Sequence, residues 1–175
     1  YGEPIRTDDF NWKVNVNWSK NKNEVVSLYG DVNQLQLASV QGGVSINATI
    51  GQPYGSIVGS NYVYNDNGTR TIGADGYYIK SASKEVIGNV NPDWIGGINN
   101  SFRYKNLNFS FLIDIKKGGD VFSLDTYYGY ATGIYANTVF ENDLGNPVRN
   151  TLANGGGVIL DGVLADGSAN TTRVR

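Results

Sequence analysis

The stretch WIGGINNSFRYKNLNFSFLIDIK, residues 94–116, decides the fold class. Its second half alternates apolar and polar side chains, with Leu112 as the one apolar residue at a polar position. The apolar positions are Leu107, Phe109, Phe111, Ile113 and Ile115. A period of two is typical of a strand with one apolar face. Because Lys105 and Asn106 fit a two-residue turn, the stretch predicts a long hairpin with strands at about 94–104 and 107–116.

The length of the two arms leaves two settings open. Soluble strands usually have about five or six residues, whereas a tilted strand that crosses a bilayer needs about 9–11. Trp94 and Tyr104 end the first arm, where a membrane barrel carries its interfacial aromatic residues. The hairpin therefore fits either the wall of a transmembrane β-barrel or a long hairpin in a soluble β-sandwich.

A third strand is predicted at about 9–19, because the apolar and polar residues of 10–18 alternate without exception. The three strands are expected to pair as antiparallel neighbours, with long connections at about 20–93 and 117–175. In outer-membrane barrels short turns face the periplasm and long loops face outward. Asp66–Gly68 predicts a further hairpin turn of type I′, and Pro4 with Asp8 and Asp9 predicts a turn over Tyr1–Asp8.

Composition excludes several kinds of site. The chain has 175 residues, no histidine, no cysteine and a net charge of −2. No Cys/His metal site, cysteine nucleophile or Ser-His-Asp triad can be built from it, and no basic surface argues for nucleic acid. We expect no catalytic residue, no metal and no cofactor. The start within a loop and the absence of methionine predict that residues 1–175 are a single segment of a longer chain.

The chain resembles part of the C-terminal barrel region of the SusC/RagA family of TonB-dependent outer-membrane transporters of the Bacteroidetes. The resemblance runs in order through most of the chain. Its matching stretches are GEPI at 2–5, DFNW at 9–12, NWSKNKNEVVSL at 17–28, IGQPYGSI at 50–57, IGNVNPDWIGGINNSFRYKNL at 87–107, KGGDVFS at 117–123 and GGGVILDGV at 155–163.

The resemblance implies an all-β fold, with antiparallel strands from a transmembrane β-barrel wall and long extracellular loops. This chain alone would not close the barrel. The family imports oligosaccharides or peptides together with a SusD-like surface lipoprotein, and TonB supplies the energy through segments absent here. The expected setting is therefore the lipid of a bacterial outer membrane, with nutrient uptake and no chemistry on the substrate.

Tyrosines in the predicted external loops are the candidate contacts to substrate or lipoprotein, since an aromatic ring stacks on a sugar face and the hydroxyl adds a polar tip. They are Tyr77, Tyr78, Tyr127, Tyr128, Tyr130 and Tyr135. The alternative is that these rings pack the loops together. Asp114 and Lys116 alternate with apolar residues and are expected to face the barrel lumen, where they line the route or solvate the wall.

Two other functions remain open from the residues alone. A soluble glycan-binding β-sandwich would use Trp12, Trp18 and Trp94 as a sugar platform. A glycoside hydrolase would need two carboxylates roughly 5–10 Å apart. The aspartates Asp8 and Asp9, or Asp120 and Asp125, are the candidate pairs, and the sequence does not give their spacing.

Overall fold

A computed structural model describes the whole chain, Tyr1–Arg175, and it is predominantly antiparallel β-structure. This confirms the all-β class, and the sheets do not close into a barrel. The strands are β1 Gly2–Arg6, β2 Phe10–Ser19, β3 Gln34–Val40, β4 Val44–Thr49, β5 Ser56–Gly59, β6 Thr71–Ile72, β7 Glu85–Asn89, β8 Trp94–Tyr104, β9 Leu107–Lys117, β10 Val158–Ile159, β11 Val163–Leu164 and β12 Arg173–Val174. One α-helix, α1, spans Leu124–Thr132, and short 3-10 segments span Gln41–Gly43, Ala136–Thr138 and Leu152–Asn154.

The three longest strands, β2, β8 and β9, form one sheet with β1, in the order β1-β2-β8-β9. β8 pairs antiparallel with both β2 and β9, so the predicted neighbours are confirmed. The register places Trp12 opposite Phe102 and Phe102 opposite Phe109. The connection between β8 and β9 is a tight turn in which Lys105 adopts a positive φ of 50°, as the first central residue of a primed hairpin turn does.

The predicted turn over Tyr1–Asp8 is wrong over most of its length, because Gly2–Arg6 is a strand paired antiparallel with β2. Pro4 misled the prediction, since proline is rare inside sheets. β1 lies at the sheet edge, where the missing N–H of proline has no ladder partner to lose. The pairing also shifts register between Gly2 and Ile5, so Pro4 lies in an irregular part of the ladder.

The two faces of this long-stranded sheet differ in chemistry. Residues directly opposite one another across antiparallel strands share a face, so the register collects the apolar positions of β2, β8 and β9 on one side. That apolar face is open. Phe109 is 64% exposed and Trp18 is 63% exposed. Several apolar side chains that a soluble sheet would bury are therefore exposed here.

The polar side chain of Asn100 lies in the middle of the apolar face. Asn100 is only 8% exposed, and its Oδ1 accepts a hydrogen bond of 3.1 Å from the Trp12 indole Nε1. The ring of Trp12 stacks on Phe102 with centroids 5.7 Å apart, and Phe102 lies 6.1 Å from Phe111. The aromatic cluster therefore shields the amide and satisfies its oxygen at the same time.

By contact density the chain divides into two compact units. The first comprises Tyr1–Leu37, Ile46–Ile57 and Gly88–Val121, and the second comprises Ala38–Ser45, Val58–Ile87 and Phe122–Arg175. A second four-stranded sheet has the order β3-β4-β5-β7. Within the second unit, β10 pairs antiparallel with β12, and β11 pairs in parallel with β6. The buried apolar side chains of this unit include Val44, Val58, Ile72 and Val174.

Turns and helix ends in the second unit follow local chemistry. The hairpin predicted at Asp66–Gly68 is present, with Tyr64 opposite Arg70. Its form differs from type I′, since Gly68 has φ of 74° and Asn67 has no positive φ. Helix α1, which the sequence did not predict, is capped at its N-terminus by Ser123, whose side chain accepts a hydrogen bond from the Thr126 N–H. No helix of the structure combines the length and apolar character needed to span a membrane.

Candidate functional site

The polar face of the long-stranded sheet carries the two charged residues singled out in β9. Asp114 lies opposite Gly97, and Lys116 lies opposite Ile95. Both side chains are exposed, on the face opposite Phe111. The glycine opposite Asp114 leaves its carboxylate without a directly facing side chain. Because both residues lie near the C-terminal end of β9, they occupy the end of the sheet away from the tight turn.

The other end of the polar face holds a cleft of about 720 Å³. Its charged lining residues are Glu3, Arg6, Lys13 and Arg103. The Asn11 amide donates a hydrogen bond to Glu3, and Arg6 reaches the Glu3 carboxylate at 3.8 Å. Since the one carboxylate is already engaged, the cleft keeps an excess of positive charge.

Four of the candidate tyrosines lie on or next to α1 and contact each other in two pairs. Tyr127 and Tyr128 pack edge to face at 5.3 Å, and Tyr130 and Tyr135 do so at 5.4 Å. Gly129 allows the second pair, because a Cβ there would lie only 2.3 Å from the Tyr135 ring. These rings therefore do pack the loop together.

The rings on α1 nevertheless stay accessible. Tyr127, Tyr128 and Tyr130 are each about half exposed, at 51%, 47% and 53%. The Tyr128 hydroxyl donates to Gln41 Oε1 at 3.2 Å, and the Tyr130 hydroxyl accepts from the Asn137 amide at 2.7 Å. Loop packing and an available aromatic surface are thus both present in this segment.

The remaining two candidates separate, although they are adjacent in sequence. The Tyr77 hydroxyl donates to the Arg175 carbonyl oxygen at 3.0 Å. Tyr78 instead packs edge to face on Tyr62 with centroids 5.1 Å apart. Adjacent residues of an extended segment point to opposite sides, so only Tyr78 joins this second aromatic group.

Arg70 is the centre of that group, and sequence reasoning missed it together with Tyr62 and Tyr64. Its guanidinium carbon lies 4.8 Å from the Tyr62 ring centroid and 5.3 Å from that of Tyr78. The neighbouring side chain of Tyr78, and next that of Tyr64, raises the pKa of Arg70 above its ordinary value. One signal was visible in the sequence, because Tyr64 and Arg70 flank the Asp66–Gly68 turn symmetrically.

The described side chains offer binding surfaces in three places. The structure contains no group of three or more acidic residues placed to hold a metal ion. Asp120, one of the candidate acids, accepts a 2.9 Å hydrogen bond from the Asn89 backbone N–H, and Asp125 lies in the first turn of α1. The positively biased cleft, the exposed tyrosines and the Arg70 group all offer aromatic surfaces or hydrogen-bond donors to a ligand.

Similarity to known proteins agrees with a receptor. The chain is 29% identical to TonB-dependent receptor P26 of Formosa agariphila over 139 aligned residues, and this alignment covers 69% of the chain. It is also 28% identical over 142 residues, 67% of the chain, to TonB-dependent receptor P3 of the same organism. The chain is similar to TonB-dependent receptors. No family model matches it.

These similarities support a relationship between the chain and the TonB-dependent receptors. Neither relative is named as an enzyme. The matched region spans only 14% of the length of each relative. The chain thus matches a small part of these relatives, and the similarity does not extend to a substrate or to a lipoprotein partner.

Proposed function

We propose that the chain forms part of the barrel wall and external loops of an outer-membrane, TonB-dependent importer of the SusC/RagA type. The observation that carries the proposal is the uncovered apolar face of the β1-β2-β8-β9 sheet. A soluble β-sandwich packs a second sheet about 10 Å away over such a face. Here Phe109, Phe111 and Ile113 remain 64%, 40% and 46% exposed, which suits contact with lipid.

In this proposal the opposite face of the sheet borders the lumen. Asp114 and Lys116 hydrate the wall there, and the cleft near Arg103 lies at the periplasmic end, because the tight turn after β8 faces the periplasm. The strands β8 and β9 have 11 residues each, which matches the length of a tilted strand that crosses a bilayer.

The external loops would supply the contacts to cargo and partner. The half-exposed rings of α1, with Tyr78 and Tyr77, offer stacking surfaces for an oligosaccharide or a peptide and for a SusD-like surface lipoprotein. Energy coupling to TonB belongs to other parts of such a receptor. The role of this chain is binding and passage, without covalent change of the substrate.

Arginine substitutions in β9 of the full receptor test the placement of the sheet. Phe111 lies near the middle of the strand on the apolar face, and Ser110 is its neighbour on the polar face. We expect Phe111→Arg to cost about 2–4 kcal/mol of assembly free energy, since an arginine near the bilayer midplane loses its hydration. The matched Ser110→Arg variant adds the same charge toward water and should assemble normally.

The measurement is the amount of heat-modifiable receptor in outer-membrane fractions, compared by electrophoresis with and without boiling. The proposal predicts a strong loss of the compact, unboiled species for Phe111→Arg and wild-type levels for Ser110→Arg. Equal assembly of the two variants, or a larger defect for Ser110→Arg, would overturn the assignment of the two faces.

A further inference from the structure

The pairing of short segments in the second unit gathers aromatic and cationic side chains on one surface. Tyr64 lies opposite Arg70, and Tyr62 lies opposite Lys80, each across an antiparallel bridge. Directly opposite residues of antiparallel segments point to the same side, and so do residues two apart in one segment. We call the surface formed by Tyr62, Tyr64, Arg70, Tyr78 and Lys80 the Arg70 cluster.

Within the Arg70 cluster, the guanidinium is held by rings and has no acidic partner. Its carbon lies 4.8 Å from the Tyr62 ring centroid and 5.3 Å from the Tyr78 ring centroid, within the range of cation–π contact. The ion pairs of the protein are Arg6 with Glu3 and Arg173 with Asp143, so neither Arg70 nor Lys80 is neutralised by a carboxylate.

The Arg70 cluster is also accessible. Tyr62 is 43% exposed and Tyr64 is 48% exposed, and the two rings meet edge to face at 6.5 Å. An arginine stacked on aromatic faces keeps its N–H donors in the plane of its own guanidinium group, in a fork that matches the oxygens of a carboxylate or sulfate. Because stacking holds that fork in place, less side-chain entropy is lost when an anion binds.

The tyrosines narrow the chemical class of the ligand further. Each contributes a flat apolar ring and a hydroxyl tip, which together suit a sugar ring with one C–H face and a polar rim. A bound peptide strand would instead need an open backbone edge. In the Arg70 cluster the three segments are hydrogen-bonded to one another, because the Thr71 N–H donates to Val63 O, the Ile79 N–H donates to Thr71 O and the Val63 N–H donates to Ile79 O.

We propose that the Arg70 cluster is a binding subsite for an anionic saccharide, with Arg70 pairing to the oxyanion and Tyr62, Tyr64 and Tyr78 contacting the sugar ring. The oxyanion is either a uronate carboxylate or a sulfate ester, which share the same fork geometry. This inference rests on the proposed import function in that it names the class of cargo. The binding itself is measurable apart from import.

The experiment is equilibrium binding of the detergent-solubilised, full-length receptor to an oligosaccharide array with sulfated, uronate-containing and neutral members. Wild-type protein should bind sulfated or uronate members more tightly than neutral ones, and which of these two it binds identifies the oxyanion. Arg70→Gln should lower that affinity about tenfold or more, since a charged hydrogen bond is lost. Arg70→Lys should retain only part of it, because lysine lacks the planar fork.

The matched control is Lys105→Gln, which removes another cation stacked on a tyrosine, 5.6 Å from the Tyr104 ring centroid at the tight turn. It should leave the affinity unchanged. Equal weakening by Lys105→Gln and Arg70→Gln, preference for neutral sugars, or no saccharide binding by the wild type would overturn the inference. Heat-modifiability of the same samples reports barrel assembly separately, so a receptor that assembles without binding anions contradicts this inference alone.

Discussion

The two compact units contrast in how their side chains are used. In the first unit, the β1-β2-β8-β9 sheet has strands of up to 11 residues, yet Leu107, Phe109 and Trp18 remain more than 60% exposed. In the second unit, β6, β10, β11 and β12 have two residues each, yet Ile72 and Val174 are 1% and 5% exposed. The unit with the longer strands thus has the more exposed apolar side chains.

The contrast shows which interactions stabilise each unit. Short strands give few ladder hydrogen bonds, so the second unit depends on tight turns, close backbone packing and side-chain hydrogen bonds to carbonyl oxygens. Asn142, for example, donates to the carbonyl oxygens of both Gly155 and Gly157. The first unit has a continuous ladder but lacks cover for its apolar face. A surrounding lipid phase would supply that cover, which is the setting proposed above.

The largest effect on the second unit is expected from Gly156→Ala. A Cβ at this position would lie 2.0 Å from the Asn150 carbonyl oxygen, and a backbone overlap cannot be relieved by a side-chain rotation. We expect at least about 3 kcal/mol of local destabilisation. Amide hydrogen exchange of the variant should be faster at 158–159 and 173–174, with β8 and β9 unchanged.

Gly145→Ala is the graded control for that substitution. Gly145 has φ of 72° but open space around its Cβ position, so alanine there should cost only the left-handed backbone energy of about 1–2 kcal/mol. If Gly156→Ala speeds exchange in β8 and β9 as much as in β10 and β12, the two units do not draw on separate sources of stability.

A smaller effect is expected in the first unit from Trp12→Phe. This change keeps an aromatic ring but removes the indole N–H that satisfies the buried Asn100 oxygen. We expect a loss of about 1–2 kcal/mol in the free energy of unfolding, measured by urea titration of the protein in lipid vesicles. The double variant Trp12→Phe with Asn100→Leu should recover most of it, since no unsatisfied amide remains. A double variant less stable than Trp12→Phe would contradict this account.

The smallest effect concerns the ion pair of the second unit. Arg173 Nη2 lies 2.7 Å from both carboxylate oxygens of Asp143, and this hydrogen bonding lowers the Asp143 pKa from its ordinary value of 3.8. A lowered folded pKa means that the stabilisation is present above pH 3.8 and is lost as the pH falls through the folded value. We expect a small effect, because Asp143 is exposed.

Melting curves of wild type and Asp143→Asn as a function of pH test this expectation. The wild type should melt slightly higher near neutral pH, and the two curves should converge as the pH falls below 3.8. The Asp166→Asn variant is a useful comparison, because Ser168 lowers the Asp166 pKa without any cation. A difference that grows on acidification would have the wrong sign for the proposed pair.

The long-stranded sheet could be predicted from the sequence because its information is local. Alternation in 107–115 identifies the strand and its faces, and the short gap at Lys105 and Asn106 identifies its partner. β1 was not predicted, because Pro4 is unfavourable inside a sheet and acceptable only at an edge. Local sequence does not reveal which strand lies at the edge. The two units escaped as well, since each is assembled from separated segments and no single linker divides them.

The candidate site was less predictable because contacts across turns create it. Tyrosine content pointed to Tyr78, but its partners Tyr62 and Arg70 follow from the pairing of three segments around the Asp66–Gly68 turn. Helix α1 was not predicted, because Tyr127, Tyr128 and Tyr130 give no clear apolar stripe. Its ends are defined by the Ser123 cap and by Gly133 in the left-handed conformation.

The most direct test of the central claim is a scan of single cysteines along β9, residues 107–116, in an otherwise cysteine-free receptor reconstituted in lipid. Each cysteine carries a spin label, and collision rates are measured with oxygen, which partitions into lipid, and with a water-soluble nickel chelate. We predict that odd-numbered positions collide mainly with oxygen and even-numbered positions mainly with the chelate. A scan without this period of two, or with the phases exchanged, would contradict the assignment of the apolar face to lipid.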